Sequence, residues 1–369
     1  MNRLVLIGNG FDLAHDLKTS YANFMLWYYK EWGERLLKSP NKAESDDLCS
    51  FTLHDIGLAG WYLVWGYYYR RSDPSKPWEA KDAFLKAIQD RQLCDFTIDS
   101  PLLQRIWKQL LLGWVDIENE YYSLLTEEKF TMGKGMVHPD YNKLNNHLDK
   151  LQVKLIEYLK LESEKEIHVI DDIKDKIYSP IDEREISVTY KREDNMGVFE
   201  GKEPDRIMLL NFNYTSTPEH YVIDPSKATI NYIHGRLEDP ESIIFGYGDE
   251  SDVNYIRLQN LDNNECLRHI KSIRYLEADN YRKMLEFIES APFQICIMGH
   301  SCGNSDRTLL KTLFEHRNCI SIKPYYYIKD GKNNHLDLIQ NISRSFSDKR
   351  QMRDRVVNKT FCGPLVEPS

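Results

Sequence analysis

The sequence predicts an α/β protein with a Rossmann-like, largely parallel sheet flanked by helices and a large, mainly helical insertion after the first strand. Three observations support this class. An apolar run from Leu4 to Ile7 precedes Gly8-Asn9-Gly10, as expected for a strand buried on both faces that ends in a tight turn. Residues 20–164 show helical periodicity. From residue 165, short β-rich runs alternate with helical stretches, which is typical of a parallel sheet.

The composition limits the class of protein. The chain has 369 residues, 41% hydrophobic and 28% charged, enough to bury one large domain or two ordinary ones. Its net charge of −9 argues against general nucleic-acid binding. The seven cysteines are scattered without a C-x-x-C pair, which indicates neither a zinc ribbon nor a disulfide framework. The sequence has no signal-peptide pattern and no apolar run long enough to span a bilayer. We therefore expect a cytoplasmic protein without a membrane segment.

The insertion begins with an amphipathic helix. Its apolar residues Tyr21, Phe24, Met25, Tyr28 and Trp32 recur at helical spacing, and further helical patterns lie near 78–90, 103–118 and 141–159. An aromatic block at 61–69 predicts a core or a helix-packing surface. We therefore expect residues 1–19 and 165–369 to form a nucleotide-binding domain. Residues 20–164 are expected to cap its pocket or to mediate assembly into a homo-oligomer.

Seven β-rich runs after residue 165 are predicted as strands. They are Ile167–Ile170, Ile186–Tyr190, Ile207–Leu210, Thr229–Ile233, Ile243–Phe245, Phe293–Met298 and Ile320–Tyr327. Helices are predicted between some of them, notably over Tyr281–Ser290 and Asp306–Arg317. The run Leu4–Ile7 must join the same sheet, because alone it has nothing to cover its two apolar faces.

Small and polar residues follow four of these runs, at the position where ligands of open α/β sheets bind. The segments are Asn211-Phe212-Asn213-Tyr214-Thr215, His234-Gly235, Gly246-Tyr247-Gly248-Asp249-Glu250, and Gly299-His300-Ser301 through Ser305-Asp306. Taken singly, each fits an ordinary turn or helix cap better than a site. Together with Gly8-Asn9-Gly10, where glycine lets a ligand approach the backbone, they predict a nucleotide pocket.

These motifs, in this order, resemble the AbiH family, which is associated with bacteriophage abortive infection. The resemblance rests on Gly8-Asn9-Gly10-Phe11-Asp12, residues 211–215, His234-Gly235, residues 245–249 and residues 299–306, and it covers nearly the whole chain. More distantly, the same order is similar to sirtuin-like NAD-binding domains. In those domains a Gly-x-Gly loop, a Thr-x-Asn-x-Asp segment, a His-Gly pair and a Gly-x-Ser segment surround NAD.

The sirtuin-like similarity implies roles for individual residues. Asn213 matches the asparagine that contacts the ribose next to nicotinamide, and His234 matches the catalytic histidine. Asp12 follows the loop and is a candidate to hydrogen-bond a ribose or to position water. The residues expected to hold the dinucleotide are Gly8, Asn9, Gly10, Phe11, Gly246, Tyr247, Gly299, His300, Ser301 and Asp306.

The sequence departs from the sirtuin pattern in three places. The first two change the expected contacts to the ribose, and the third changes the expected class of enzyme. Thr215 stands where sirtuins carry an aspartate, and Asp12 stands where they usually carry a small residue. The four-cysteine zinc module of sirtuin deacetylases is absent from the sequence. The resemblance therefore implies an NAD glycohydrolase of phage defence, with NAD as its substrate and no metal required.

The chemistry of that reaction suits the residue types. Cleavage of the nicotinamide–ribose bond passes through an oxocarbenium-like ribose, whose hydroxyl groups an asparagine at position 213 would fix. A group that takes a proton near neutral pH is also needed, and His234 is the natural candidate because the ordinary pKa of histidine lies there. The glycine loop and the start of the 306–317 helix would offer amides to the pyrophosphate.

Two other functions remain open at this point. The first is a module that senses NAD or an ADP-ribose-like nucleotide without cleaving it. Such a module does not need Asn213 and His234 to be arranged for catalysis. Alternatively, Asp12, Asp249 and Asp306 would bind a divalent metal in a nuclease or nucleotidyltransferase. The sequence gives no sign of the phage component that triggers the protein, or of the oligomeric state.

Overall fold

The computed structural model describes residues 1–38, 43–54, 94–112, 115–131, 135–193 and 201–367. The aromatic block at 61–69 and the helix predicted near 78–90 lie outside these residues. Two compact units make up the structure, Met1–Thr19 with Leu159–Ser369 as the first and Ser20–Tyr158 as the second. The predicted domains at 1–19 with 165–369 and at 20–164 stay a prediction.

The strands are numbered along the described chain. They are β1 (Asn2–Ile7), β2 (Ala43–Ser45), β3 (Cys49–Leu53), β4 (Cys94–Ile98), β5 (Lys129–Thr131), β6 (Gly135–Val137), β7 (Ile207–Asn211), β8 (Ala228–Tyr232), β9 (Phe293–Met298), β10 (Cys319–Pro324), β11 (Ile328–Lys329) and β12 (Lys332–Asn333). The strands β1, β7, β8, β9 and β10 form the central sheet of the first unit.

The helices are numbered in the same way. They are α1 (Asn9–Ala14), α2 (Tyr21–Lys38), α3 (Pro101–Leu112), α4 (Ile117–Leu125), α5 (Tyr141–Ser163), α6 (Asp171–Tyr178), α7 (Val188–Glu193), α8 (Val253–Gln259), α9 (Lys271–Arg274), α10 (Asn280–Ser290), α11 (Arg307–Phe314), α12 (His335–Arg344) and α13 (Lys349–Arg355). None of the helices in the described ranges is both long enough and apolar enough to cross a membrane.

The central sheet confirms the predicted α/β, Rossmann-like class. Its five strands run in the order β10-β9-β1-β7-β8, and every neighbouring pair is parallel. The first strand of the chain therefore lies in the middle, with Val5 opposite Leu209 on one side and Cys296 on the other. Strand β1 is buried along its whole length, as an unbroken apolar run requires in a parallel sheet.

The two faces of the sheet carry separate apolar cores. Leu4 and Leu6 point into one core, which continues through Leu309 and Leu310 of α11. Val5 and Ile7 point into the other, because successive strand residues face opposite sides. Burying one such aliphatic side chain contributes roughly 1.5–3 kcal/mol, so β1 stabilises both layers at once.

Three of the predicted strands are wrong. Residues 167–170 lie in an irregular segment before α6, where the Ile170 amide donates to the Tyr221 hydroxyl instead of a strand. Residues 186–190 enter α7, whose first amides are capped by the Asp354 carboxylate. Residues 243–245 pair with no strand of the described residues, and the Ile244 amide donates to the His234 carbonyl. A short apolar run is ambiguous unless a neighbouring strand is known.

The second unit combines helices with small antiparallel sheets that the sequence did not predict. The strands β2, β3 and β4 form a three-stranded sheet, and β5 pairs with β6. Phe51 of β3 and Phe96 of β4 stack with ring centroids 4.3 Å apart, and Trp32 stacks on Phe51 at 5.2 Å. The aromatic residues described in this unit are therefore used in packing.

Candidate functional site

The candidate site lies at the end of the central sheet where the carboxyl ends of its parallel strands meet, which we call the carboxyl edge. Gly8 follows β1, Phe212 follows β7, and Gly299 follows β9, while His234 comes two residues after β8. Because these strands are parallel neighbours, the segments that follow them meet at one edge. The structure therefore brings together four of the segments that the sequence predicted as ligand contacts.

The glycine loop after β1 packs directly on the loop after β9. The amide of Gly10 donates to the Gly299 carbonyl at 2.8 Å, and Gly299 has a φ of +75°. A Cβ on Gly299 would lie 2.1 Å from the Phe11 nitrogen, and a Cβ on Gly8 would lie 2.5 Å from the His300 Cα. Glycine is required at these two positions because the two backbones touch.

Other groups of this loop are also engaged within the protein. The Gly8 amide donates to the Met298 carbonyl at 3.3 Å, and the Phe11 amide donates to the Gly8 carbonyl at 2.8 Å. The Asn9 side chain accepts a hydrogen bond from Thr19 Oγ1 at 2.6 Å. The Phe11 side chain is fully buried in the core. The amides of Gly8 and Gly10 therefore bond the glycine loop to the end of β9 and the loop after it, and the Phe11 amide bonds within the glycine loop itself.

Asp12 lies in α1 just beyond the loop, and its carboxyl group is buried. Oδ2 accepts a hydrogen bond from Thr215 Oγ1 at 2.7 Å. Oδ1 is also buried and accepts no hydrogen bond of ordinary geometry from the described residues. Burial raises the pKa of Asp12 to about 6, although the nearby side chains of Thr215, Thr217 and Asn213 act in the opposite direction. A carboxyl group that changes charge near neutral pH is suited to take a proton from a reacting group.

Two asparagines fix the turn after β7. Asn211 Nδ2 donates to the Thr215 carbonyl at 2.9 Å, and Asn211 Oδ1 accepts from the Asn213 amide at 3.1 Å. Asn213 Nδ2 then donates to the Gly8 carbonyl at 3.0 Å. Asn213 is half-buried, so it ties the turn after β7 to the turn after β1 while remaining at the surface. Asp12 and Asn213, two of the predicted catalytic residues, lie together at this turn.

His234 is buried in a different environment. Its Nε2 lies 3.1 Å from the Tyr275 hydroxyl and 3.4 Å from Asp306 Oδ1. Its ring packs edge-on against Phe212, with centroids 5.3 Å apart. Burial, and after it the charge of Lys271, lowers the pKa of His234 to about 3. The imidazole is therefore uncharged at neutral pH, and its polar neighbours include Tyr275, Asp306 and the Phe212 backbone but not Asp12.

A buried ion pair stands beside His234. Lys271 Nζ donates to Asp306 Oδ1 at 2.8 Å, and Lys271 is only 1% exposed. Burial alone would raise the pKa of Asp306, but Lys271 and then the two neighbouring histidines hold it below its ordinary value. His300 Nε2 lies 3.4 Å from Asp306 Oδ2, so each oxygen of Asp306 faces one histidine.

His300 and Ser301 lie in the loop after β9. His300 Nδ1 accepts a hydrogen bond from the Cys302 amide at 3.0 Å, and its ring lies 4.1 Å from that of Phe212. Ser301 is exposed, and its carbonyl accepts from Asn341 Nδ2 at 2.8 Å. Of these two predicted dinucleotide contacts, His300 is therefore part of the buried cluster and Ser301 is at the surface.

The segment 246–250 packs against the start of α11. The Thr308 amide donates to the Gly248 carbonyl at 3.0 Å, so an amide that a phosphate would use at this helix terminus is already bonded. A Cβ on Gly246 would lie 1.9 Å from the His269 carbonyl oxygen, which explains this glycine. Tyr247 is buried, and its amide donates to the same carbonyl at 3.0 Å.

Two of the three aspartates of the metal-enzyme hypothesis, Asp249 and Asp306, face cations of the protein instead. Arg307 Nη1 lies 2.9 Å from Asp249 Oδ2, and Lys271 occupies the same role at Asp306. Within the described ranges, no group of three His, Cys, Asp or Glu side chains is arranged to hold a metal ion. These ion pairs argue against a joint metal site of Asp12, Asp249 and Asp306.

Sequence reasoning missed two residues of the site. Lys271 contacts Asp306, and Tyr275 contacts His234. Neither belongs to a segment that follows a strand, and neither stands in a recognisable motif. They reach the edge through α9, whose first amide, that of Lys271, donates to the Tyr247 carbonyl at 2.9 Å. This is a long-range contact, and one sequence carries no local signal for it.

Together, the parallel sheet and its polar carboxyl edge define a Rossmann-like α/β protein with buried titratable groups where ligands of this class bind. The chain belongs to the bacteriophage abortive infection AbiH family, whose model matches residues 4–327. Membership in that family agrees with the resemblance drawn from the glycine loop and the four later motifs. Neither the curated proteins nor the solved structures contain a significant match to this chain.

Proposed function

We propose that this AbiH-family protein is an NAD glycohydrolase of phage defence. The reaction consumes NAD and water and gives nicotinamide, ADP-ribose and a proton, so the nicotinamide–ribose bond breaks and a ribose–oxygen bond forms. The observation that carries the proposal is the Asp12 carboxyl group, buried at the carboxyl edge beside Asn213 with one oxygen unpaired within the described structure. Depletion of NAD would halt phage replication together with the host cell.

Asp12 is assigned the role of general base. With a pKa of about 6 it is mostly ionised at pH 7, yet it remains basic enough to accept a proton from water or a ribose hydroxyl. The same negative charge stabilises the positive charge that develops on the ribose as the glycosidic bond breaks. An ordinary exposed carboxylate would be a weaker base and more strongly hydrated.

Asn213 is assigned to the ribose. Its Nδ2 is held by the Gly8 carbonyl, which fixes the plane of the amide between two turns. The side-chain oxygen is then the atom to accept a hydrogen bond from a ribose hydroxyl, and a fixed acceptor lowers the entropic cost of orienting the sugar.

His234 has a different role in this proposal from the one that the sirtuin-like similarity implies. A buried imidazole with a pKa of about 3 is a poor general base at pH 7. We therefore assign it to hydrogen bonding in its neutral form, next to Tyr275, and give proton transfer to Asp12. The predicted catalytic histidine thus stays in the site but not as the base.

The proposal concerns the ribose end of NAD. The unpaired Asp12 oxygen and the half-buried Asn213 amide fit a sugar with two hydroxyl groups. The amides of Gly8, Gly10 and Phe11 do not fit a pyrophosphate cradle, because they donate to carbonyl groups of the protein. No step here depends on a contact to the phosphates.

The test is nicotinamide release from NAD by the purified full-length chain. The variants are Asp12→Asn, Asn213→Ala and His234→Ala, and Asp16→Asn is the matched control, since Asp16 is exposed on the same segment. We expect release by the wild type and by Asp16→Asn, and a rate lower by about 10²-fold or more for Asp12→Asn. The wild-type rate should rise as the pH increases through about 6, because the base must be ionised, and this rise should vanish in Asp12→Asn.

Two results would overturn the proposal in different ways. Equal rates for the wild type, Asp12→Asn and Asn213→Ala would show that the site is elsewhere. No release by any protein, together with unchanged NAD in phage-infected cells that express the wild type, would show that the chain is not a glycohydrolase. Binding of NAD without cleavage in both settings would instead indicate a nucleotide sensor.

A further inference from the structure

Four buried polar side chains meet on one side of the carboxyl edge, and we call them the Asp306 cluster: Asp306, Lys271, His234 and His300. Asp306 is the centre. Its Oδ1 accepts from Lys271 Nζ at 2.8 Å and lies 3.4 Å from His234 Nε2, and its Oδ2 lies 3.4 Å from His300 Nε2. All four residues are less than one-tenth exposed.

A buried ion pair of this kind needs an explanation beyond stability. Removing two charges from water costs several kcal/mol per ion, and well-packed apolar residues often replace such pairs without loss of stability. Cys302 and Leu309, which stand near Asp306 in the sequence, belong to an apolar core, so aliphatic side chains would meet a purely structural requirement here. Ion pairs combined with buried histidines in a cleft or at a sheet edge are typical of functional sites.

The geometry also determines which nitrogen of His300 carries the proton. His300 Nδ1 accepts from the backbone amide of Cys302, which can only donate. In neutral His300 the proton is therefore on Nε2, and this N–H points at Asp306 Oδ2. On the other side, the Tyr275 hydroxyl contacts His234 Nε2 at 3.1 Å and its ring stacks parallel to the imidazole. Asp306 thus faces two imidazoles that are each held by a second contact.

Three separate segments converge to build the cluster: the segment after β8 carries His234, α9 carries Lys271, and the loop after β9 carries His300 and Asp306. Lys271 begins α9 and is anchored through its amide to the Tyr247 carbonyl. Asp306 precedes α11, and its amide donates to the Gly303 carbonyl at 3.3 Å. The contact between Lys271 and Asp306 therefore joins α9, which is bonded to the segment 246–250, to the loop after β9.

We infer that Asp306, held by Lys271, is a positioning residue that orients the imidazoles of His234 and His300 at the carboxyl edge. The ionisable groups that face Asp306 are Lys271, His234, His300 and the Cys302 thiol, and Tyr275 faces His234. Asp306 itself touches no reacting atom in this assignment. Its effect on activity rests on the proposed function, whereas its effect on the two histidines does not.

The first measurement is nitrogen NMR of the histidine rings in the full-length chain. Spectra of the wild type and Asp306→Asn are compared, and the Nδ1 and Nε2 signals of the two rings are assigned with His234→Gln and His300→Gln. We expect the wild type to show His300 with its proton on Nε2 and one pair of nitrogen signals for each ring. In Asp306→Asn, the signals of both rings should shift or split, since the carboxylate that both rings face is gone.

The control is Glu185→Gln, which breaks another buried ion pair. Glu185 lies 2.5 Å from Lys323 and also accepts from Gln294 Nε2, and it has no place in the Asp306 cluster. Its His234 and His300 signals should match those of the wild type. If Asp306→Asn leaves an unpaired lysine and fails to fold, the Lys271→Met/Asp306→Asn double variant removes both charges and gives the same comparison.

The second measurement is kinetic. In Asp306→Asn, kcat for nicotinamide release should fall about 10²-fold with little change in KM, because misoriented groups slow the chemical step more than binding. Histidine signals identical to wild type in folded Asp306→Asn or the double variant would overturn the inference. Shifted histidine signals in a protein that never cleaves NAD would support the positioning role and reject the proposed function alone.

Discussion

The two buried aspartates of the carboxyl edge, Asp12 and Asp306, behave in opposite ways. Asp12 adjoins Phe11, which packs in the core on one face of the sheet, and Asp306 lies between Cys302 and Leu309, which pack on the other. Burial acts to raise the pKa of both. At Asp12 only neutral hydrogen-bond donors oppose it and the pKa rises to about 6, whereas at Asp306 the Lys271 ammonium reverses the sign. A protein can therefore make one base and one permanent anion from the same residue type.

The largest predicted effect on stability comes from removing Lys271, the cation that makes Asp306 differ from Asp12. We expect Lys271→Met to lower the free energy of unfolding by about 3–5 kcal/mol at pH 7, because it leaves a buried carboxylate without its partner. The measurement is urea unfolding. The Lys271→Met/Asp306→Asn double variant should recover most of the loss, and Lys283→Met, at an exposed pair with Asp279, should change stability by less than about 1 kcal/mol. A loss for Lys271→Met as small as that for Lys283→Met would contradict the comparison.

Removing the charge of Asp12 should instead raise the free energy of unfolding. Its pKa is about 6 in the folded protein against an ordinary value of 3.8, so ionisation destabilises the folded state increasingly from about pH 4 to pH 6. We expect Asp12→Asn to be more stable than the wild type by up to about 3 kcal/mol above pH 6, and equal to it below pH 4. Thermal unfolding across this pH range gives the answer. Asp182→Asn is the control, since the pKa of Asp182 is lowered to about 2 and its loss brings no gain at pH 7.

The smallest predicted effect concerns Thr215. Its hydroxyl donates to Asp12 Oδ2, so Thr215→Val should cost about 1.5 kcal/mol at pH 7 and less below pH 4, where the carboxyl group is neutral. The loss of the donor should also raise the pKa of Asp12, which moves the rise of activity to higher pH. Thr312→Val removes a hydroxyl that bonds only within α11 and should leave the activity profile unchanged. An unaltered profile in Thr215→Val would mean that this hydroxyl does not tune Asp12.

The elements of the fold that were predictable are those with a strong local pattern. Leu4–Ile7 is apolar throughout, and Phe293–Met298 is apolar except for Gln294. Both runs lie in interior strands of the sheet, and a glycine follows each of them. The runs at 167–170, 186–190 and 243–245 are also rich in β-branched or aromatic residues, but none of them pairs with a strand of the described residues, and sequence alone does not reveal such neighbours. Apolar patterning therefore identifies buried segments better than it identifies their pairing.

The candidate site was predictable only in part, for a related reason. Asp12, Asn213 and His234 were predicted as site residues because they lie in the segments that follow strands and match the motifs of the resemblance. Lys271 was not, because its contact with Asp306 joins two distant segments. The glycines were found, but the same pattern serves phosphate binding and close loop packing, and the geometry of Gly299 shows the packing. A glycine motif therefore predicts where two backbones come close together more reliably than it predicts which ligand they bind.

The central position of β1 has a consequence for how the protein is made. During synthesis β1 leaves the ribosome long before β7 and β9, the two strands that pair with it. At about 5–20 residues per second, the interval between Ile7 and Phe293 is roughly 15–60 s. The apolar run Leu4–Ile7 of β1 lacks its partner β9 for that time, while the intervening segment is translated. We therefore expect chaperones to bind the nascent chain, and we expect the yield of active protein to depend on translation speed and chaperone supply.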